Sequence, residues 1–230
     1  AFSDFVNRFS YSPILNRVIV VEFLNNHGYL ASNGFRRKSN FSYILELDGS
    51  PESILMNKID KKTRSQIRQA MRERVTVKEA TMSEAEILSK LVMDTARRHR
   101  LSLVPEIELR KIRNVFKTMG EKKMAKFLIA YHDGVPLAYL FQFMYKDSMF
   151  YAGNASLEQY WRLRPNNLLV WTMIENGLMN GYHTLNFGCV SPEGAGLAKW
   201  KESWGAKRVF FSVYEKSSPL LRLAQAGVGL

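Results

Sequence analysis

The clearest feature of the chain is a set of segments in which apolar and polar residues alternate, as they do in half-buried β-strands. FSYILELDG at 41–49 alternates in this way and contains an Asp-Gly pair that is typical of a turn. VTVKEA at 75–80 predicts a second, shorter strand. Between 126 and 156, three aromatic and β-branched runs are joined by Asp-Gly and Lys-Asp turns, which predicts an antiparallel meander of three strands.

Segments in which apolar residues recur at helical spacing separate those strands. Ser50 and Pro51 predict a helix start, since serine caps a helix and proline fits its first turn. Ser83 and Glu86 predict a capping box at a second start. The predicted helices run from Ser50 to about Arg72, from Ser83 to the basic cluster at 97–100, from Pro105 to Gly120, from Pro165 to Gly181 and over GLAKWKESWG at 196–205.

Two late strands complete the predicted order of elements. HTLNFG at 183–188 and RVFFSVY at 208–214 have the composition of strands. From residue 41 the order is therefore strand, helices, meander, helix, strand, helix, strand. This order predicts a mixed α/β protein in which a central antiparallel meander is flanked by helices.

The composition of the 230-residue chain, 46% apolar and 23% charged, is that of a globular protein and excludes disordered, fibrous and collagen-like classes. The single cysteine, Cys189, cannot form an internal disulfide, so we expect a cytoplasmic protein. The sequence contains no run of the roughly 18 to 20 apolar residues that a membrane span needs. We therefore expect no transmembrane segment, while a peripheral contact with a membrane stays open.

The chain is strongly basic, with 33 Lys and Arg against 21 Asp and Glu and a net charge of +12. Such an excess attracts RNA, nucleotide diphosphates and anionic lipid headgroups. Half of it lies at 58–78, where eight residues are basic and two are acidic. Arg64, Arg68 and Arg72 recur there every four residues and form one helical stripe that can bind phosphate groups of a substrate. The alternative is a solvated helix face.

Several common catalytic motifs are absent from the sequence. The four histidines are scattered, without HExxH or CxxC-type spacing, so we expect no metal site. GxSxG, Walker and GxGxxG motifs are also missing. Cys189 would need a nearby base to act as a nucleophile, and we expect a small, buried cysteine at a strand end instead.

Long stretches of the chain resemble one family. LDGSPESILMNKIDKKTRSQIRQAMRERVTV at 47–77, LIAYHDGVPLAYLFQFMYKDSMFYAGNAS at 128–156, and RPNNLLVWTMIENGLMNGYHTLNFG at 164–188 with the following GLAKWKESWGAKRV are similar to the FemAB-like group of the GNAT acyltransferase superfamily. This group includes the peptidoglycan-bridge aminoacyltransferases. The resemblance covers about 41–214 and implies a GNAT-like fold with a mixed sheet.

The resemblance also implies a domain organisation. Members of the group usually carry two GNAT-like modules, and one complete module fits here, at 41–230. The segment 1–40 would then be the remnant of a preceding module. A second GNAT-like module is accordingly a candidate partner.

The resemblance points to a loop at 162–167 as the place of a cofactor or co-substrate. GNAT enzymes that use acetyl-CoA hold its pyrophosphate on backbone N–H groups of a glycine-containing loop at a helix N-terminus. The stretch here, RLRPNN, lacks those glycines and contains a proline, which has no N–H. Ordinary CoA binding is therefore disfavoured. The cofactor-binding candidates in this stretch are Arg162, Arg164, Asn166 and Asn167.

Lys201 is the catalytic candidate that the resemblance implies. Fem-type relatives carry a Phe-Lys pair in the last helix, which stands here as Trp200-Lys201, and Lys199 lies two residues earlier. The alternative for Lys201 is a solvated lysine on a surface helix. Relatives often have an Asp before the Phe-Gly of HTLNFGC, where this chain has Asn186. An amide can orient a substrate but cannot act as a general base.

Tyr151 and Asn154 are further substrate-binding candidates, together with Asn186 and Lys199. Tyr151 and Asn154 lie on and just past the third meander strand, next to the position at which the GNAT fold opens its sheet for the acyl group. The alternative is a packed aromatic residue and a turn asparagine.

The resemblance implies an acyltransferase, and we expect Fem-type transfer of an aminoacyl group from aminoacyl-tRNA to an amine such as that of a peptidoglycan precursor. Positioning and electrostatic stabilisation can supply most of this catalysis. The expected partners are anionic substrates, namely tRNA and a nucleotide- or lipid-linked precursor, without a tightly bound cofactor. An acyl-CoA-dependent N-acyltransferase is the first alternative. A non-catalytic basic module that binds RNA or a membrane surface is the second.

Overall fold

The computed structural model describes residues 17–22, 35–191 and 194–217. The chain divides into two compact units, which are described separately: one consists of 1–42 and 209–230, and the other of Tyr43–Arg208. The strands are β1 (Arg17–Glu22), β2 (Arg36–Glu46), β3 (Thr76–Glu79), β4 (Ala125–His132), β5 (Val135–Tyr145), β6 (Ser148–Ser156), β7 (Thr184–Asn186) and β8 (Lys207–Ser217). The helices are α1 (Pro51–Asn57), α2 (Lys61–Arg72), α3 (Ala85–Arg98), α4 (Pro105–Val115), α5 (Pro165–Met179) and α6 (Ala195–Ser203).

The larger unit contains the predicted mixed sheet, with strand order β2-β7-β6-β5-β4-β3. Neighbouring strands are antiparallel, except that β6 and β7 are parallel. The meander β4-β5-β6 is confirmed, and its two turns place Asp133 and Lys146 at positive φ angles of 48° and 54°. The mixed α/β fold predicted from the order of elements is therefore confirmed.

Helices pack on the meander through alternating side chains of its strands. Phe127 and Ile129 of β4 are buried with Leu88 of α3 and Ile112 of α4. Helix α5 approaches the sheet closely, because a Cβ atom on Gly177 would lie 2.1 Å from the Cε of Met149. A larger residue at this point of α5 would require the Met149 side chain to move.

The first predicted helix is instead two helices, α1 and α2, separated at 58–60. Asp60 caps α2, its side chain accepting a hydrogen bond from the Thr63 N–H at 2.6 Å. The Asp60 N–H donates to the Ser203 carbonyl at 3.0 Å, and a Cβ on Gly205 would lie 2.6 Å from the Lys58 carbonyl oxygen. The helix is interrupted here because 58–60 packs against the end of α6, which lies far away in sequence.

The start of α3 also differs from the prediction. The capping box is formed by Thr81 and Glu84, and a 3₁₀ turn at Met82–Glu84 precedes the helix. Glu86 instead forms an ion pair with Arg113 at 3.4 Å. The box lies two residues earlier than expected because Thr81, not Ser83, is the extended residue before the first turn.

The smaller unit is built on the antiparallel pair β1-β8, from Arg17 opposite Ser217 to Glu22 opposite Ser212. Within it Lys38 forms a 2.9 Å ion pair with Glu215. Of the predicted N-terminal segment, residues 1–16 and 23–34 lie outside the described residues. The division at residue 40 and the module remnant therefore stay predictions.

Candidate functional site

Strands β6 and β7 part in the middle of the larger unit. They pair in parallel from Ser148–Phe150 to Thr184–Asn186. Strand β6 then continues to Ser156 without β7, whereas the chain after β7 stays bonded to β2, with the Phe187 N–H donating to the Tyr43 carbonyl at 2.8 Å. An opening therefore lies beside the second half of β6.

A β-bulge marks the start of this opening. Gln142 of β5 lies opposite Tyr151, and Phe141 lies opposite Gly153, so Ala152 is an additional residue on β6. A Cβ atom on Gly153 would meet no atom within 4 Å. The bulged strand thus borders open space, which is the usual position of a bulge next to a binding site.

Aromatic rings line the side of the opening near the bulge. The Tyr151 ring lies 5.9 Å from that of Phe187 and 5.6 Å from that of Trp200. Burial raises the pKa of the Tyr151 hydroxyl well above its usual value. The phenol is therefore protonated at neutral pH and can act as a hydrogen-bond donor.

Lys201 is buried at the end of β7, with a side chain only 3% exposed. Its Nζ donates to the carbonyl oxygens of Gly188 and Cys189, each at 2.9 Å. Burial lowers the pKa of this ammonium group. Lys201 is therefore not the solvated surface lysine of the alternative interpretation, and Cys189, which was expected to be buried, is exposed.

Asn186 and Lys201 act on the same turn. The Asn186 Oδ1 accepts a hydrogen bond from the Gly188 N–H at 2.7 Å, while Lys201 binds the Gly188 carbonyl. Gly188 itself has a φ of 77°, a left-handed conformation that favours glycine. Both predicted residues thus hold the chain where it leaves β7.

The other two candidates near this site are exposed. Asn154 lies on β6 beyond the bulge, opposite Leu140. Lys199 lies on α6 and faces solvent, two residues before the buried Lys201. The structure therefore brings Tyr151, Asn186 and Lys201 close to the end of β7. Lys199 is exposed to solvent, whereas Lys201 is buried.

The predicted cofactor-binding stretch lies between the end of β6 and helix α2. The Asn166 Nδ2 donates to the Ser156 Oγ at 3.1 Å, and the Asn167 Nδ2 donates to Gln66 of α2 at 3.1 Å. The Arg162 carbonyl accepts a hydrogen bond from Gln69 at 2.9 Å.

Arg164 determines how α5 begins. It adopts a left-handed conformation, with φ 57° and ψ 39°, directly before Pro165. Its carbonyl oxygen accepts hydrogen bonds from the Asn167 N–H at 3.1 Å and the Leu168 N–H at 3.4 Å. Pro165 has no N–H, so the first turn of α5 offers few backbone donors to an anion.

The arginine stripe of α2 is divided by the structure. One terminal nitrogen of Arg64 donates to the carbonyl oxygens of Met56 at 2.7 Å and Ile59 at 2.9 Å, at the end of α1. Arg68 and Arg72 are exposed. Arg64 therefore has a structural contact that the regular spacing of the stripe did not indicate, and phosphate binding by the stripe stays a prediction.

Sequence reasoning missed a cluster at the carboxyl end of β6. The Ser156 N–H donates to the Thr95 Oγ1 at 3.2 Å, and Arg98 donates to the Ser156 carbonyl at 2.9 Å. The Trp161 Nε1 donates to the Ser156 Oγ at 2.9 Å, and Arg98 lies 4.8 Å from the centre of the Trp161 ring. No spacing pattern links these residues, because they come from three separate elements.

Within 35–191 and 194–216, no three His, Cys, Asp or Glu residues lie close enough together to hold a metal ion. No helix in the described part of the chain combines the length and the apolar character needed to cross a bilayer.

Solved structures share this fold at low sequence identity. FemX is 15% identical with a TM-score of 0.75, over 90% of this chain and 74% of FemX. L-PGS from Bacillus licheniformis is 14% identical with a TM-score of 0.61, over 86% of this chain and 67% of that chain. A tandem GNAT protein from the clavulanic acid biosynthesis pathway is 13% identical with a TM-score of 0.54, over 88% of this chain and 63% of that chain. No curated protein matches the sequence.

A family model described as an acetyltransferase (GNAT) domain matches residues 58–202, which is more than half of the chain. The matched region contains the meander, the opening between β6 and β7, and Lys201. Together with the fold shared with FemX, the match confirms the resemblance to the FemAB-like group. The chain belongs to the acetyltransferase (GNAT) domain family and is an acyltransferase.

Proposed function

We propose that this acyltransferase moves an aminoacyl group from aminoacyl-tRNA to an amine acceptor such as a peptidoglycan precursor. The observation that carries the proposal is the start of α5. Pro165 lacks an N–H, and the N–H groups of Asn167 and Leu168 already bond to the Arg164 carbonyl. A CoA pyrophosphate would need such donors, whereas an aminoacyl-tRNA does not.

The proposed donor also agrees with the charge of the protein. The net charge is +12, and the exposed Arg68, Arg72 and Arg162 lie on or next to α2. Arginine side chains bind phosphate oxygens in pairs, so this surface supports the binding of a polynucleotide backbone. The fold shared with FemX adds a further, weaker reason.

In the proposed reaction, the nitrogen of the acceptor attacks the ester carbonyl of the aminoacyl-tRNA. A C–N bond forms, the ester C–O bond breaks, the nitrogen loses a proton and the tRNA hydroxyl gains one. The protein would hold the two reactants in the opening beside β6, where correct positioning alone supplies a large part of the rate.

Lys201 is the proposed catalytic residue. An ammonium group has three donors, of which two bind the Gly188 and Cys189 carbonyls. The third can stabilise the oxyanion of the tetrahedral intermediate or a substrate phosphate, and its effect is strengthened by the buried surroundings. Tyr151, which stays protonated, is a candidate donor to the acyl group or to the leaving oxygen.

Transfer from an acyl-CoA is the second candidate, since GNAT domains use acyl-CoA as a co-substrate. The open space beside Gly153 supports it, because an acyl chain can lie along the unpaired side of β6. The two candidate donors differ at the start of α5, which would have to bind a pyrophosphate only if the donor is an acyl-CoA.

Single-turnover assays distinguish the two donors. The purified chain is incubated with a labelled aminoacyl-tRNA or with labelled acetyl-CoA, in each case with a lysine-containing peptidoglycan precursor. We expect label in the precursor only with the tRNA donor, and a Lys201→Met variant should lose it while a variant at the exposed Lys122, Lys122→Met, keeps it. Labelling from acetyl-CoA alone would replace the proposal by the second candidate.

A further inference from the structure

Large apolar side chains are exposed on the loop between α3 and α4, on the first turn of α4 and on the 3₁₀ turn at Glu158–Leu163. Leu101, Val104 and Ile107 are 59%, 49% and 38% exposed, and Trp161 is 42% exposed. The Ile107 N–H donates to the Val104 carbonyl at 3.1 Å, which holds these two residues in one turn. Leu101, Val104, Ile107 and Trp161 are called the loop surface below.

The loop surface lies next to the carboxyl end of β6, at one end of the candidate site. Arg98, the last residue of α3, binds the Ser156 carbonyl at 2.9 Å and lies over the Trp161 ring at 4.8 Å. The Leu101 N–H donates to the Ala96 carbonyl at 2.9 Å, so the loop begins against the end of α3. The loop surface therefore lies where β6 ends, next to the opening between β6 and β7.

Exposed arginines lie next to the loop surface, at the end of α3. Arg97 and Arg100 are exposed, and the Arg97 side chain is 80% accessible although it lies 3.5 Å from Asp94. Between 97 and 107 the sequence contains three arginines and one carboxylate, Glu106, and the carboxylates of Asp94 and Glu108 lie just outside this stretch. Exposed aliphatic side chains next to arginines are the combination that an anionic bilayer surface binds.

We propose that the loop surface docks on a membrane that contains anionic lipids. Leu101, Val104 and Ile107 would enter the boundary between headgroups and acyl chains, and Arg97 and Arg100 would contact lipid phosphates. RNA is a poorer occupant, because aliphatic side chains do not stack on bases and Arg98 already covers the Trp161 ring. Docking would hold the opening next to a membrane-bound acceptor, but the proposal does not require the transfer reaction proposed above.

Vesicle sedimentation with the full chain tests the docking. The chain is mixed with phosphatidylcholine vesicles that contain or lack phosphatidylglycerol, and the bound fraction is measured against lipid concentration. We expect binding only with phosphatidylglycerol and a decrease as salt is added. The triple variant Leu101→Ser, Val104→Ser, Ile107→Ser should bind at least about tenfold more weakly, and Arg100→Ala about fivefold more weakly.

Met179→Ser is the matched control. Met179 is 70% exposed and ends α5, whose 15 residues place it about 20 Å from the start of that helix near Ser156. This variant should bind like the original chain. Because all substituted side chains are exposed, melting temperatures should stay close together, and the single variant Leu101→Ser serves if the triple variant does not fold.

Three outcomes would overturn the proposal. The first is no binding of the original chain to anionic vesicles. The second is equal binding by the triple variant and the Met179→Ser control, which would indicate a purely electrostatic association. The third is binding of an RNA oligonucleotide that the triple substitution weakens while vesicle binding stays unchanged.

Discussion

The ammonium group of Lys201 donates to the carbonyl oxygen of Gly188 at 2.9 Å, and the N–H of the same glycine donates to Asn186. A buried cation and a neutral amide thus hold one glycine from both sides, directly after β7. This arrangement supports the turn that carries the chain away from β6. It therefore links the burial of Lys201 to the shape of the opening.

Replacing Lys201 should affect both stability and activity. In Lys201→Met the Cys189 carbonyl loses the lysine donor and the Gly188 carbonyl keeps only the Tyr43 N–H, at 3.2 Å, so the free energy of unfolding should fall by about 1 to 3 kcal/mol. The rate of acyl transfer should fall about 100-fold or more, since a buried charge near the reacting group is lost. Urea denaturation and single-turnover kinetics measure the two effects. Lys122→Met, at an exposed position outside the candidate site, is the control, and a fully active Lys201→Met variant would remove Lys201 from the catalytic residues.

Substitution of Gly153 should change the rate of acyl transfer without changing the stability of the fold. A Cβ there meets no atom within 4 Å, so Gly153→Ala should leave the melting temperature almost unchanged. Transfer should slow, because the methyl group enters space that the acyl group would occupy. Gly196→Ala on α6, where a Cβ also meets no atom within 4 Å, should leave activity unchanged and raise the melting temperature slightly, because alanine favours a helix over glycine. Equal activity of the two variants would place the acyl group elsewhere.

Stability should depend on Tyr139 at alkaline pH. Burial raises the pKa of this hydroxyl from 10.0 to about 12. A raised pKa contributes stability that is fully present below pH 10 and is lost as the pH rises toward 12, in total about 3 kcal/mol. Tyr139→Phe should therefore lose less stability than the original chain over this interval.

Urea denaturation on both sides of pH 10 measures this difference. Tyr145→Phe, at an exposed position of the same strand, is the control and should follow the original chain. If Tyr139→Phe and the original chain lose stability equally between pH 10 and pH 12, the hydroxyl is not buried in solution.

Gly205→Ala should destabilise the junction between α1 and α6. The new Cβ would lie 2.6 Å from the Lys58 carbonyl oxygen, and Gly205 has a φ of 81°. Steric overlap and the unfavourable backbone conformation together should cost at least about 2 kcal/mol. Gly181→Ala shares the positive φ, at 74°, but meets no atom within 4 Å and should cost only about 1 kcal/mol. The difference between the two variants in thermal denaturation measures the cost of the contact with the Lys58 carbonyl. Equal losses of stability would contradict that contact.

Arg64 and Arg72 should differ although both belong to the stripe on α2. Arg64→Ala removes the donor to the Met56 and Ile59 carbonyls and should lower the free energy of unfolding by about 1 to 2 kcal/mol. Arg72 is exposed, so Arg72→Ala should leave stability unchanged. It should weaken binding of tRNA and reduce the slope of affinity against salt by about one. Filter binding over a salt series tests this, and an unchanged slope would exclude a phosphate contact at Arg72.

Local signals in the sequence determined most of the architecture. The Asp-Gly and Lys-Asp turns, the alternation in the meander and Pro165 at the start of α5 each act within a few residues, and the structure has each of them where it was expected. Such turns and caps are stabilised by neighbouring backbone groups, so a single sequence is enough to recognise them.

Only the tertiary structure decided the contacts between distant segments. The break between α1 and α2 depends on the close approach of Lys58 to Gly205, and the burial of Lys201 depends on the turn after β7. The contact of Arg98 with Trp161 joins two segments more than sixty residues apart. Periodicity describes the faces of single elements, whereas these contacts arise when separate elements pack together, so they leave no regular pattern in the sequence.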